Sequence, residues 1–152
     1  MSTVTAKETT GATPEAEIRE LQDSWLQAVR SRDTKKIMSH YAPDVVAYDA
    51  IVALQFKGAD AYGKHWEACL SMCTGPMEFE IRELNIEAEN DVAFAHWLNR
   101  CGGVDENGEE KSSWMRVSAG YRRIKGNWRI VHEHFSAPFD IASGKALFDL
   151  QP

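Results

Sequence analysis

The hydrophobic period of this chain changes once, near Met77, and that change limits what the chain can fold into. Upstream, apolar residues recur every three or four positions; downstream they alternate, the spacing of strands. Ile18, Leu21, Trp25, Ala28 and Val29 form one stripe of a first helix. Thr13 suits its cap and Pro14 its first turn, with Glu15 and Glu17 where the helix dipole favours negative charge. A second, short helix is expected over Thr34 to Tyr41, capped by Asp33 and stopped by Pro43. Asp44 to Tyr48 reads as a short strand. Gly58 then opens a third helix with the stripe Tyr62, Trp66, Cys69 and Cys73, ended by Gly75-Pro76.

Beyond Met77 four long strands follow in succession. Met77, Phe79 and Ile81 alternate with charged residues, but Leu84, Ile86 and Ala88 continue on the other parity, which requires a β-bulge near Arg82 to Leu84. Asn90-Asp91 turns into Val92 to Cys101, a glycine-bearing loop over Gly102 to Glu110 leads to Ser112 to Ile124, and Lys125-Gly126-Asn127 turns into Trp128 to Phe135. Helices first and strands afterwards predict an α+β fold. Three N-terminal helices would pack in a strongly curved, mostly antiparallel sheet, a cone-shaped barrel with one mouth. The expected organisation is a disordered tail over 1–12, one domain over 13–140 and a C-terminal tail over 141–152.

Composition removes several classes of function. A length of 152 residues holds one core. A net charge of −6 lacks the basic footprint of a nucleic-acid or membrane-surface binder. No apolar run reaches the ~18 residues of a spanning helix. Three cysteines, an odd and sparse set, predict reduced thiols and a cytoplasmic protein. No G-x-S-x-G elbow, P-loop or G-x-G-x-x-G is present.

Several segments resemble one family in order and spacing: R-S-R-D at Arg30 to Asp33, Y-A-P-D-V-V-A-Y-D at Tyr41 to Asp49, F-K-G-A-D-A-Y at Phe56 to Tyr62, D-V-A-F-A-H at Asp91 to His96, and G-N-W-R-I-V-H-E-H-F-S-A-P at Gly126 to Pro138. The chain resembles the SnoaL-like, ketosteroid-isomerase-like branch of the nuclear transport factor 2 fold. That resemblance implies a ligand pocket and, in the isomerases, an Asp general base at the end of the first strand. Asp49 matches that place. The oxyanion Tyr of the first helix falls on Trp25 and the protonated Asp of the third long strand on or near Ala119, so steroid isomerisation itself is not expected.

Asp49, His132 and His134 are therefore the expected catalytic residues, and Trp25, Tyr48, Tyr62, Trp66 and Arg116 the expected ligand contacts. A turn carboxylate satisfied by backbone N–H groups is the plainer role for Asp49. The two histidines share one face of the last strand with Ile130 and Trp128 if that face is inward. Otherwise Arg129, Val131, Glu133 and Phe135 line the pocket. No metal or cofactor is expected. His65, Cys69 and Cys73 share a helix face, but the ends of the set lie ~12 Å apart, too far for one ion. The expected function is a cofactor-independent isomerase, cyclase or dehydratase acting on a small hydrophobic carbonyl compound, with a non-catalytic binding or association module as the alternative. The second sheet face carries apolar residues too, which predicts a homodimer through it.

Overall fold

The computed structural model describes residues 12–72 and 77–152. Helix α1 (Pro14–Arg30) starts as its cap signals predict, with the Thr13 hydroxyl accepting from the Ala16 N–H at 3.2 Å. Asp33 likewise caps α2 (Thr34–Met38), accepting from the Lys36 N–H at 3.1 Å. That helix stops three residues short of Tyr41, because Tyr41 already belongs to strand β1 (Tyr41–Tyr48). A two-residue strand that periodicity did not reveal, β2 (Phe56–Lys57), precedes helix α3 (Ala59–Ser71). The expected end of this helix at Gly75-Pro76, with Cys73, lies outside the described residues, as does the expected tail except Ala12.

Strands β3 (Met77–Glu89), β4 (Val92–Val104), β5 (Glu110–Ile124) and β6 (Asn127–Ser136) form the antiparallel meander. β1 joins it parallel to β6, giving the order β2-β1-β6-β5-β4-β3 in one curved sheet. The bulge in β3 falls between Arg82 and Asn85, with Glu83 at φ 56°. A second irregularity, between Gly120 and Tyr121 on β5, leaves Val131 of β6 without an opposite residue.

The helices fill the concave face. Ile18, Trp25 and Val29 of α1 are fully buried, with Trp25 edge-on to Trp66, Phe79 and Trp97 at centroid distances of 5.8, 5.6 and 6.1 Å. Arg123 fixes the start of α1 to the sheet by a bidentate pair with Glu17 at 3.1 and 3.2 Å. The tail after β6 folds back across the end of β5, where the Trp114 N–H donates to the Phe148 carbonyl at 3.2 Å. Among the described residues no helix is long and apolar enough to cross a membrane.

Candidate active site

The concave face keeps a cavity of about 530 Å³ between α3, the end of β1, the first halves of β3 and β5 and the second half of β4. Its wall is mostly apolar, with Trp66, Leu70, Met77, Phe79, Met115 and Phe135 among its side chains, and Phe148 of the tail at its rim. Polar groups come from Asp49, Tyr62, His65, Asn99, Lys111 and two serines. The few convergent polar groups in an apolar wall are the usual make-up of a small-molecule site.

Asp49 follows β1 directly. Its Oδ1 accepts from the Ala50 N–H at 2.7 Å, the turn role, while Oδ2 pairs with Nε2 of His65. The turn role expected of this carboxylate is therefore present, and its second oxygen pairs with a side chain at the cavity. His65 is buried on α3, its ring stacked 4.2 Å from Phe56. One turn later Cys69 sets its Sγ 3.6 Å from His65 Nε2. The three ligand-type atoms of Asp49, His65 and Cys69 lie within 4.8 Å of one another, the one group of three among the described residues that could hold a metal ion.

A second polar cluster stands beside the first. Glu133 is fully buried, and its carboxylate accepts from Tyr41 at 2.8 and 2.9 Å and from Tyr62 at 2.7 Å. The Trp25 indole N–H donates in turn to the Tyr41 oxygen at 2.9 Å. Burial pushes the Glu133 carboxyl up to about 7, against the two tyrosine hydrogen bonds, with the charge of Asp49 adding to the rise. Burial also holds the Tyr41 and Tyr62 hydroxyls well above the usual phenol range, so both stay protonated donors.

The bulge at Val131 decides which side chains of β6 reach this region. Trp128 and Ile130 point to the core before it and Glu133 and Phe135 after it, so His132 and His134 face the outer side of the sheet. There they flank Tyr48 at centroid distances of 4.8 and 5.4 Å, and His132 Nδ1 lies 2.6 Å from the Val46 carbonyl oxygen. Neither histidine lines the cavity, nor does Tyr48, which alternates outward from Val45 and Ala47. Arg116 is also outside, bonded to the Ser136 hydroxyl at 3.2 Å. Trp25 sits behind the cavity wall rather than in it. Of the expected residues, Asp49, Tyr62 and Trp66 meet at the cavity.

His65 and Glu133 were not among the expected residues. His65 did carry a signal, a titratable side chain set within the apolar stripe of α3. Glu133 had one only through the alternative strand parity.

Comparison with known proteins follows the same outline. The SnoaL-like domain family matches residues 18–140. An NTF2-like protein of unknown function from Pseudomonas putida KT2440 is 56% identical, over 91% of this chain and 96% of that one, with a TM-score of 0.85. Two others share the fold at low identity. A Streptomyces avermitilis protein called a candidate dehydratase of the NTF2-like family is 13% identical over 82% of this chain and 97% of that one, TM-score 0.70. The association domain of C. elegans CaMKII is 15% identical over 80% and 93%, TM-score 0.64. No curated protein matches the chain. With the family pattern running from α1 past the end of the sheet, and a majority-identical relative of the same fold, the chain belongs to the SnoaL-like family of the NTF2-like superfamily.

Proposed function

We propose that the cavity is a cofactor-independent acid–base site for a small, largely hydrophobic carbonyl compound, of the isomerase, cyclase or dehydratase type. The observation that carries this reading is the Asp49–His65 pair in the wall of an apolar cavity. Asp49 orients the imidazole and stabilises the imidazolium that forms when His65 takes a proton next to the substrate carbonyl. Tyr62 and Glu133 supply the opposite half. When Glu133 is ionised it holds the Tyr62 proton; once protonated it is itself a donor, and the Tyr62 O–H is free to turn toward a developing enolate oxygen. Two cavity side chains also carry buried polar atoms with no hydrogen-bond partner among the described residues, Asn99 Oδ1 and Trp66 Nε1, which suits a ligand offering both a donor and an acceptor.

A fold relative called a candidate dehydratase is consistent with this chemistry. The other reading, a non-catalytic binding or association module, is favoured by the apolar residues exposed on the outer sheet face and by the likeness to an association domain. The two are compatible, since the surfaces lie on opposite faces of the sheet, and we assign the homodimer to the outer one. An odd, sparse set of three cysteines suits a cytoplasmic protein.

A panel of cyclic ketones and polyketide-like compounds, followed for binding and for product, tests the proposal. Asp49→Asn should lower kcat by about 10²–10⁴-fold while ligand binding persists. Undiminished turnover in that variant would remove the assignment.

A further inference from the structure

We propose that Asp49, His65 and Cys69 form a divalent-metal site of the zinc class, and that the ion regulates the acid–base pair of the same cavity by occupying its imidazole. The binding half stands on geometry alone; the regulatory half rests on the function proposed above.

His65 and Cys69 are four residues apart on α3, which places both on one helix face. The end of β1 brings Asp49 to the same point, so three ligand atoms of three chemical types lie within 4.8 Å of one another. The His65 Nε2 to Cys69 Sγ distance is 3.6 Å. A tetrahedron with Zn–N of about 2.0–2.1 Å and Zn–S of about 2.3 Å has an N···S edge of about 3.6 Å. An ion seated there replaces the hydrogen bond that joins Asp49 to His65, and the carboxylate moves back to make room. Three protein ligands beside a cavity leave the fourth position open to water or a ligand.

The ligand set chooses the ion. Thiolate and imidazole favour zinc over magnesium or calcium, which take oxygen shells. The surroundings favour a cation. Asp49 and Glu133 place two acidic groups in this corner, and the one lysine among the described lining residues, Lys111, is paired with Asp105 at 3.4 Å. Binding releases the Cys69 thiol proton, and the neutral imidazole shifts its proton from Nε2 to Nδ1 as Nε2 becomes the ligand atom. With Nε2 on the metal and the ring proton on Nδ1, His65 has no lone pair left to accept a proton from substrate.

The test uses the full chain, purified under a non-chelating reductant and stripped of metal. Zinc titration by calorimetry should give one ion per chain. Cobalt should give a near-ultraviolet thiolate charge-transfer band that is lost in Cys69→Ser and kept in Cys73→Ser and Cys101→Ser. Supporting residues of metal sites are worth about 10–100-fold in affinity, so Cys69→Ser and His65→Gln should each lose at least that much. Circular dichroism checks the fold of each variant, and Asp49→Asn provides the same comparison should Cys69→Ser fail to fold. A missing band in the unaltered chain, or unchanged zinc affinity in the folded variants, overturns the site. Zinc should also suppress turnover and a chelator restore it; bound zinc with unaffected turnover overturns the regulatory half. Absent turnover in metal-free protein counts against the acid–base function, while the cobalt spectrum still reads the site.

Discussion

Asp49 and His65 act as one unit or not at all. Asp49 has no free oxygen, one being held by the Ala50 N–H and the other by His65, so its contribution passes through the imidazole. His65→Gln should therefore reduce kcat about as much as Asp49→Asn, and the double variant should be little worse than either, as for groups that work together. Multiplicative losses, read from steady-state kinetics, would mean that the two residues serve separate steps. Glu133 makes a different prediction. Its carboxyl titrates near 7 when folded against 4.5 when unfolded, so between those pH values the folded protein keeps a proton that the unfolded chain has lost. Stability is then full below about pH 4.5 and falls as pH rises to about 7, by about 3 kcal/mol for a fully buried group. Relative to the parent chain, Glu133→Gln should gain stability across that window in denaturant titrations. Parallel curves for the two proteins would show that Glu133 does not hold the proton. Of these three residues only Asp49 was singled out in the sequence, because its place at the end of the first strand carries a resemblance. His65 was read with Cys69 and Cys73 along one helix, and what gives it a partner is a strand end sixteen residues earlier in the chain. That is tertiary information, which periodicity does not contain.

At the scale of elements, bulges decide where chemistry goes. The one in β3 was legible, because the apolar residues change parity across Arg82 to Leu84. The one in β6 was not, since both faces of Trp128 to Phe135 mix polar and apolar residues and neither parity breaks visibly. Its effect is larger: one extra residue at Val131 turns Glu133 inward and both histidines outward. Short β2 and the parallel pairing of β1 with β6 were also hidden, since parallel partners far apart in sequence leave no turn signal. The β3 bulge offers a test. Glu83 is exposed with φ 56°, a region that costs an L-residue about 1–2 kcal/mol, whereas glycine loses about 0.5–1 kcal/mol in chain entropy instead. Glu83→Gly should leave stability unchanged or raise it by up to about 1 kcal/mol, and Glu83→Val, branched at Cβ, should lower it by about 1 kcal/mol or more. A urea midpoint that moves in the opposite order would show that the bulge shifts rather than holds its register.

For the whole molecule, the sheet separates two surfaces. Its concave face is filled by helices around the cavity, and its outer face leaves Val92 63%, Phe94 55% and Tyr48 39% exposed. Strand register sets Phe94 opposite Gly120, and Gly120 opposite His132, so Phe94, His132 and Tyr48 lie along one line across the sheet with Gly120 between the first two. Trp97, Val117 and Tyr121 of the same strands are buried on the inner side, and Trp114 is covered by Arg82 at 4.8 Å and by the C-terminal tail. What is left is narrower than a fully apolar face, and exposed apolar groups gathered in this way often mark a surface that a partner covers. The proposed two-fold pairing of outer faces would cover it with a self-complementary surface of more than ~1,000 Å². Light scattering at micromolar concentration should then give twice the 17.1 kDa chain mass. Phe94→Asp places a charge on this surface and should return the monomer with unchanged circular dichroism. Because the cavity opens on the opposite face, that monomer should still bind ligand. A 17.1 kDa species from the unaltered protein would show that the outer face stays in water, and loss of ligand binding in Phe94→Asp would show that the cavity depends on the pairing.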